Sequence, residues 1–234
     1  MDSPTQKAPL ADTLRKLTLN TLGMAVAFAP VLILVLALAL RLYGINWDQA
    51  GLFHPDERAI LFHVSDMSWP SLSNLGVLLN AEESPLNPHW FPYGSLPIYA
   101  VKVVEAIISP FKDLTFNDLR LVGRGLSALA DVGTVFIVFL LATRLYSRQV
   151  GILASLLAAL AVLHIQLSHF YAVDTYLTFF IVTSVYFMAR LIQEGRLRNS
   201  LLAGAFIGLA LASKISVAPL SLAFLLAHGI YIFS

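Results

Sequence analysis

The sequence contains no cysteine and few charged residues, and each shortage excludes a class of protein. Without cysteine the chain has no disulfide framework, no thiolate metal ligand and no cysteine nucleophile. Charged residues make up 12% of the 234 positions, about half of the share in soluble globular proteins. Hydrophobic residues reach 58%, and the mean hydropathy is +0.76. This composition excludes a soluble domain, a disordered chain and a nucleic-acid-binding protein, and it indicates an integral membrane protein.

Long apolar runs predict an all-α, polytopic bundle of about six membrane spans. A bilayer core of about 30 Å needs about 20 apolar residues in a helix. The predicted spans are residues 22–42, 121–145, 151–168, 176–192, 201–212 and 217–233. The first run is too long for a signal peptide, so we expect it to be retained. Arg41, Tyr43 and Trp47 close this span, and their residue types suit a membrane interface.

Segment 94–110 is apolar, but Lys102 and Glu105 lie in its middle. A charge at the bilayer centre costs at least about 3 kcal/mol, so we expect a helix in the interface and not a span. The basic loops 143–150 and 190–200 then fall on the same side as the basic N-terminus, as the positive-inside rule requires.

This arrangement predicts a multi-pass protein of the plasma (inner) membrane with its active face outward. Residues 1–21 are expected to be cytoplasmic, and residues 22–234 are expected to form one transmembrane domain. Residues 44–120 would be a long outer loop that contains helices at the membrane surface. The chain ends inside an apolar run, so we expect it to be a fragment of a longer protein.

Two carboxylates outside the spans are the first candidates for chemistry. Asp56 and Glu57 follow a proline, and they could act as a general base, bind a metal ion or simply form the first turn of a helix. Asp174 stands at the entrance of an otherwise uncharged span, where it either caps the helix or meets Asp56 across the bundle. Two converging carboxylates can hold a proton, a metal ion or an acceptor hydroxyl.

Cations near these acids could bind an anionic head group. Lys214 follows a predicted span that starts on the inner side, so its side chain should reach the outer half. There it could bind a phosphate or extend towards the interface. Arg58, Arg120 and Arg124 are further cations on the same side.

Asp131 lies in the middle of a predicted span, where an ionisable residue is a functional candidate by default. Ser127 and Arg124 lie one and two turns away on the same helix face, so a structural network is the better interpretation. The histidines show no spacing typical of a zinc site, which favours structural roles for them.

The order of several motifs resembles the N-terminal half of the GT-C membrane glycosyltransferases, the superfamily of protein O-mannosyltransferases and lipid A aminoarabinose transferases. The similarity runs from about Leu22 to Leu220. The motifs are the Asp56-Glu57 pair, Tyr93-Gly94-Ser95-Leu96-Pro97, Arg144-Leu145-Tyr146-Ser147-Arg148, Tyr171-Ala172-Val173-Asp174 and Leu211-Ala212-Ser213-Lys214.

This resemblance implies an enzyme, a hexosyl- or pentosyltransferase that moves a sugar with inversion from a polyprenyl-phosphate carrier. The acceptor would be a hydroxyl of a lipid, glycan or protein at the outer face, and the partners would include membrane lipids but no nucleic acid. By this analogy Asp56 is the catalytic base with Glu57 beside it, and Asp174 positions the acceptor. Whether a divalent cation is a cofactor stays open; Asp56 and Asp174 would hold it. The implied substrate contacts are Arg58, Arg120, Arg124, Lys214, His169 and Tyr171.

Two other functions compete with this one. A lipid or ion transporter or flippase subunit would use Asp131, Asp174 and Lys214 as polar sites within the membrane, although the sequence shows no inverted repeat. A non-catalytic scaffold would use the outer loop to dock a partner. A transferase requires Asp56 and Asp174 to converge at the outer surface, whereas a transporter predicts polar residues along a path towards the midplane. Family members are typically much longer than this chain, so the resemblance does not imply that the fragment is active on its own.

Overall fold

The computed structural model describes residues 26–233, and every regular element in that range is a helix. The all-α class is therefore confirmed for this part of the chain. The predicted cytoplasmic segment 1–21 and the start of the first predicted span lie outside the described residues. The helices are α1 (Val26–Leu42), α2 (Pro55–Asp66), α3 (Leu96–Ile108), α4 (Phe116–Leu145), α5 (Arg148–Ala159), α6 (Val162–Ser168), α7 (Val173–Glu194), α8 (Leu197–Ser213) and α9 (Leu220–Phe233), with 3₁₀ turns at Leu72–Leu79 and Ile215–Val217.

Three described segments are long and apolar enough to cross a membrane: α4, α7 and Ile215–Phe233, which includes α9. The bent pair α5–α6 adds a fourth if the two helices form one span. The described part of α1 and α8 are apolar but shorter. The structure thus supports three or four spans, and the predicted number of six is not confirmed. Many large apolar side chains on these helices are exposed, as expected of surfaces that contact lipid.

The predicted span 151–168 is interrupted in the structure. Helices α5 and α6 meet at an angle of 56°. Ala161 between them is extended, with φ −65° and ψ 114°, and a residue in that conformation cannot continue the helical hydrogen-bond ladder. At the break the Ala158 carbonyl accepts from the Ala161 amide at 3.3 Å, and the Ala159 carbonyl accepts from a side chain of another helix.

Arg41 occupies the break. Its guanidinium donates to the carbonyl oxygen of Ala159 at 3.0 Å and pairs with Asp131 at 2.6 Å. The side chain of Arg41, whose residue type suits a membrane interface, is completely buried in the protein. Asp131 does lie in a structural network, but its partners are Arg41 and His164 rather than Arg124.

Helix α3 has 13 residues, about 20 Å of helix, and it is too short to cross a bilayer. Lys102 on this helix is buried, and its ammonium group donates to the carbonyl oxygen of Met67 at 2.8 Å and pairs with Glu105. This agrees with the prediction that segment 94–110 does not span.

The two basic loops meet at one end of the bundle. Arg144 at the end of α4 donates to the Gln193 side chain at the end of α7 at 2.6 Å, and Arg148 donates to the carbonyl oxygen of Ala27 at 3.0 Å. At the opposite end, a buried core joins α2, α3, the first half of α4 and the turn before α7. The candidate site lies at this second end.

Candidate functional site

Helix α2 begins as its sequence predicts. Pro55 occupies the first turn, followed by Asp56 and Glu57, and the His54 side chain accepts a hydrogen bond from the Glu57 amide at 3.4 Å. Acidic side chains are favoured here by the positive end of the helix dipole. The helical turn sends the two carboxylates in different directions, because consecutive residues are separated by about 100° around the axis. Asp56 is half-buried and Glu57 is fully buried.

Tyr93 is brought to Asp56 by a close backbone approach at Gly94. The Gly94 amide donates to the carbonyl oxygen of Ser213 at 2.9 Å. A Cβ atom at Gly94 would lie 1.9 Å from the carbonyl oxygen of Ala212, so this contact with the end of α8 requires glycine. As a result Tyr93 lies next to Lys214, whose Nζ is 5.5 Å from the centroid of the ring, a cation–π distance.

Four polar side chains form what we call the polar cluster: Asp56, Tyr93, Asp174 and Lys214. Lys214 Nζ pairs with Asp174 Oδ1 at 3.0 Å, and the Asp56 carboxylate lies near enough to the Tyr93 hydroxyl to act on its pKa. Burial raises the pKa of Tyr93, the hydrogen bond and charge of Asp56 and the charge of Asp174 raise it further, and the charge of Lys214 opposes them. Both carboxylates therefore act on one phenol. The side chains of Asp174 and Lys214 are 37% and 31% exposed, so a ligand can reach the cluster.

Asp174 does not cap its helix, so this alternative from the sequence is wrong. Helix α7 begins at Val173, and the residue in the cap position is Ala172. Asp174 lies inside the first turn, where the helix dipole stabilises its charge. Its carboxylate accepts a hydrogen bond from Lys214.

A second group of charged side chains is fully buried, and we call it the ion network. It consists of Glu57, Asp48, Arg120 and Arg124. Arg124 pairs with Glu57 at 2.6 Å and with Asp48 at 2.8 Å, and Arg120 pairs with Asp48 at 2.5 Å. Burial alone would raise the pKa of Asp48, but the hydrogen bond and charge of Arg124, together with the charge of Arg120, lower it to about 2. The sequence predicted Arg120 and Arg124 as substrate contacts; the structure surrounds both guanidinium groups with protein acceptors.

The ion network is tied to the turn that carries Asp174. Glu57 Oε1 accepts a hydrogen bond from the Tyr171 amide at 2.9 Å. The Tyr171 ring is completely buried against Gly123, where a Cβ atom would lie 2.4 Å from the ring, and its hydroxyl donates to the Pro97 carbonyl at 2.5 Å. Burial raises the pKa of Tyr171 well above its ordinary value.

The remaining predicted residues lie outside the polar cluster. The His169 ring nitrogens contact the backbone carbonyl oxygens of Ile165 at 2.7 Å and Tyr43 at 2.8 Å, which fixes the turn after α6. Arg58 is exposed, and it has no ion pair within residues 26–233.

An apolar groove of about 570 Å³ runs beside the polar cluster, between α3, α7 and the end of α8. It shares Ala212 with the Gly94 contact, so the groove and the cluster adjoin. Its lining includes Leu96, Tyr99, Val103, Tyr176, Phe180 and Ala212.

Sequence reasoning missed Tyr93 and Asp48 as parts of these groups. Tyr93 stands before Gly94 in a turn motif, and the glycine was the available signal of a close approach. No local pattern marks Asp48, because its partner Arg124 is 76 positions away in the chain. For a metal ion, no group of three or more His, Asp or Glu side chains with a suitable arrangement occurs in the described range.

Residues 103–234, more than half of the chain, match the family described as dolichyl-phosphate-mannose-protein mannosyltransferase. The chain belongs to this family. Membership in this family and the apolar helices identify the chain as an integral membrane glycosyltransferase of the GT-C type. The match includes Asp174 and Lys214 but begins after Asp56 and Tyr93, so it is shorter than the resemblance described above. No curated protein and no solved structure matches the chain.

Proposed function

We propose that this protein transfers a sugar from a polyprenyl-phosphate carrier to an acceptor hydroxyl at the polar cluster. The observation that carries the proposal is the meeting of a carboxylate, Asp56, with a lysine, Lys214, through the shared neighbour Tyr93. A base for the acceptor and a cation for the leaving phosphate are the two groups that such a transfer needs. The sugar, either a hexose or a pentose, is left open.

In the proposed reaction Asp56 accepts the proton of the acceptor hydroxyl as its oxygen attacks the anomeric carbon of the sugar. The bond between that carbon and the carrier phosphate breaks, and the polyprenyl phosphate leaves with the bonding electrons. Lys214 offsets the charge that develops on the leaving group. Attack from the face opposite the phosphate inverts the anomeric configuration. Asp174 holds Lys214 in position at 3.0 Å, and Tyr93 holds Asp56.

The apolar groove supports a lipid-linked donor. Its walls are apolar and aromatic, and Ala212 at one end lies only two positions before Lys214. An isoprenoid chain in this groove would place its phosphate near the lysine, and binding energy from the remote chain would orient the reacting group. The location of the polar cluster at the helix ends also favours a transferase over a transporter.

For the ion network we propose a positioning role. Arg124 and Glu57 link α4 to the start of α2, and Glu57 also holds the turn before Asp174. Both side chains are fully buried, so neither is free to contact a substrate. Their function would be to fix Asp56 and Asp174 relative to each other.

The central test replaces Asp56 with asparagine, which keeps the shape of the side chain and removes its basicity. The measurement is the release of labelled mannose from polyprenyl-phosphate mannose by the purified chain in lipid nanodiscs. We expect the Asp56→Asn variant to lose activity by at least about 100-fold, the size of a general-base contribution. Asp113→Asn, a change of an exposed aspartate, is the matched control and should retain activity. If the unaltered chain releases sugar and Asp56→Asn releases it as fast as Asp113→Asn does, Asp56 is not the base and the proposal is wrong.

Glu57→Gln separates positioning from catalysis. Because it leaves the buried Arg124 without a full partner, we expect a loss of stability as well as of activity. Asp56→Asn should lose activity with an unchanged unfolding temperature. If Glu57→Gln is as stable as the unaltered chain and as inactive as Asp56→Asn, Glu57 acts directly in the reaction and the positioning role is wrong.

A further inference from the structure

Helix α3 forms one wall of the apolar groove. Its side chains that line the groove lie on one face of the helix: Leu96, Tyr99, Ala100 and Val103. Pro97, on the opposite face, is buried. The position of α3 therefore decides where a chain in the groove lies relative to the polar cluster.

Two hydrogen bonds fasten the start of α3 to the segments that carry the other walls. The Gly94 amide donates to the Ser213 carbonyl at the end of α8. The Tyr171 hydroxyl, in the turn before α7, donates to the Pro97 carbonyl. Both bonds reach the backbone within a stretch of four residues, and that stretch lies at the end of the groove beside the polar cluster.

Tyr171 joins this wall to the carboxylates of the site. Its ring is completely buried, and α4 makes room for it with Gly123, where a Cβ atom would lie 2.4 Å from the ring. Glycine is unfavourable inside a helix, so the close approach of the ring explains its presence there. The Tyr171 amide donates to Glu57 at 2.9 Å, and Asp174 follows three positions later. One residue thus contacts the ion network, the groove wall and the turn that leads to α7.

We propose that Tyr171 is a positioning residue for the sugar donor, whose hydroxyl holds the α3 wall of the groove in a fixed position relative to Asp56 and Asp174. The inference rests on the transferase function proposed above, and it adds the residue through which the carrier chain acts on the reaction. The side chain is completely buried, so it contacts neither substrate.

The bond to Pro97 gives the carrier chain its effect. While α3 is fixed, binding of the chain in the groove orients the sugar phosphate at Lys214. Without the Tyr171 hydroxyl the chain still binds to the groove, but α3 shifts relative to α7 and the reacting carbon is no longer held opposite Asp56.

The kinetic test compares a long-chain polyprenyl-phosphate mannose with a donor that carries a single prenyl unit, in lipid nanodiscs. The unaltered chain should use the long donor with the higher kcat, because binding energy from remote parts of a substrate is used for orientation. We expect Tyr171→Phe, which keeps the ring, to lower kcat for the long donor at least about tenfold at an unchanged KM. For the short donor kcat should change less than about twofold, because one prenyl unit does not extend along the α3 wall.

Tyr186→Phe is the matched control. Tyr186 lies on the same helix beside Arg190, at the basic end, and the variant loses the same hydroxyl group. It should leave both donors unaffected. The unfolding temperature of Tyr171→Phe should fall by about 2–4 °C, the effect of one lost hydrogen bond in a chain of this size. A purely structural role of Tyr171 would lower kcat for both donors by the same factor, and that result overturns the inference.

Hydrogen exchange tests the same link without sugar transfer. Farnesyl phosphate, which has a chain and a phosphate but no sugar, should protect the amides of residues 95–103 and 171–174 in the unaltered chain. Inorganic phosphate, which lacks the chain, should not. In Tyr171→Phe the protection of 95–103 should remain and that of 171–174 should be lost.

The inference is overturned if residues 171–174 gain no protection in the unaltered chain, or if they gain the same protection in Tyr171→Phe. The two proposals are separated because farnesyl phosphate carries no sugar. Protection that depends on Tyr171, in a chain that releases no mannose, refutes the transferase and not the link between the groove and the turn.

Discussion

Gly94 is the residue through which the turn before α3 touches the end of α8. Its amide bonds to the Ser213 carbonyl, and its α-carbon faces the Ala212 carbonyl with no room for a side chain. The contact fixes the distance between Tyr93 and Lys214, and so it links the two halves of the polar cluster.

We expect Gly94→Ala to reduce sugar transfer at least tenfold, because the new methyl group would lie 1.9 Å from a backbone oxygen and must push the turn away from α8. Release of sugar from the labelled carrier and the unfolding temperature measure the effect. Gly208→Ala on α8 is the matched control, since a Cβ there meets nothing within 4 Å and alanine favours a helix. Equal activity of the two variants would show that the Gly94 contact does not organise the site.

Asp48 makes the stability of the protein depend on acid pH. Its folded pKa of about 2 is below the ordinary aspartate value, because Arg124 and Arg120 stabilise the carboxylate. A lowered folded pKa contributes stability that is present above the unfolded value of about 3.9 and is lost as the pH falls towards 2.

We therefore expect the unfolding temperature in nanodiscs to fall between about pH 4 and pH 2, and Asp48→Asn to remove part of that slope. The variant should also be less stable at pH 7, since it leaves two buried arginines with one carboxylate fewer. A pH profile parallel to that of the unaltered chain would contradict the lowered pKa of Asp48.

At the scale of elements, the bend between α5 and α6 is the feature with the clearest physical cause. A break in a membrane-embedded helix leaves carbonyl groups without partners, and such groups are costly where water is absent. Arg41 from α1 donates to one of these carbonyls, and Asp131 from α4 neutralises its charge. Three helices are thus joined at one buried guanidinium.

Removing one member of this pair should be strongly destabilising, because the other charge stays buried. We expect Arg41→Met to lower the free energy of unfolding by about 3–5 kcal/mol. Lys112→Met is the control: its pair with Asp118 is 61% exposed at the lysine and should be worth at most about 1 kcal/mol. Unfolding in denaturant measures both variants. A small effect of Arg41→Met would mean that water or lipid replaces the guanidinium at the break.

At the scale of the whole molecule, the two ends of the bundle have different chemistry. One end has the arginines of the loops after α4 and α7, and the other has the polar cluster and the ion network. We propose that the basic end faces the cytoplasm and that the polar cluster faces outward across the plasma membrane, since basic loops are retained inside.

The absence of cysteine allows a direct test of this orientation. A single cysteine at Glu82 should react with a membrane-impermeant maleimide in intact cells, and one at Arg196 should react only after permeabilisation. Arg196 is a suitable position because its side chain is 71% exposed. The reverse pattern would invert the proposed orientation, and labelling of both from outside would exclude opposite sides for these two positions.

Composition and local pattern were enough to predict several properties of this protein. The membrane nature and the helical class follow from the mean hydropathy and the long apolar runs. The non-spanning α3 follows from the charges within that helix, and the start of α2 at Pro55 follows from the residues of its first turn. They also selected Asp56, Asp174 and Lys214 as candidates for one site.

The tertiary structure decided which polar groups satisfy one another. The pairs Arg41–Asp131 and Arg124–Glu57 join positions 90 and 67 residues apart, and no local pattern encodes such a separation. The same packing broke the predicted span 151–168, assigned two predicted substrate arginines to buried carboxylates, and brought Tyr93 to Asp56. The physical reason is that a buried charge must find its partner wherever the chain's packing places one, whereas hydropathy and helix periodicity depend on neighbours in the sequence.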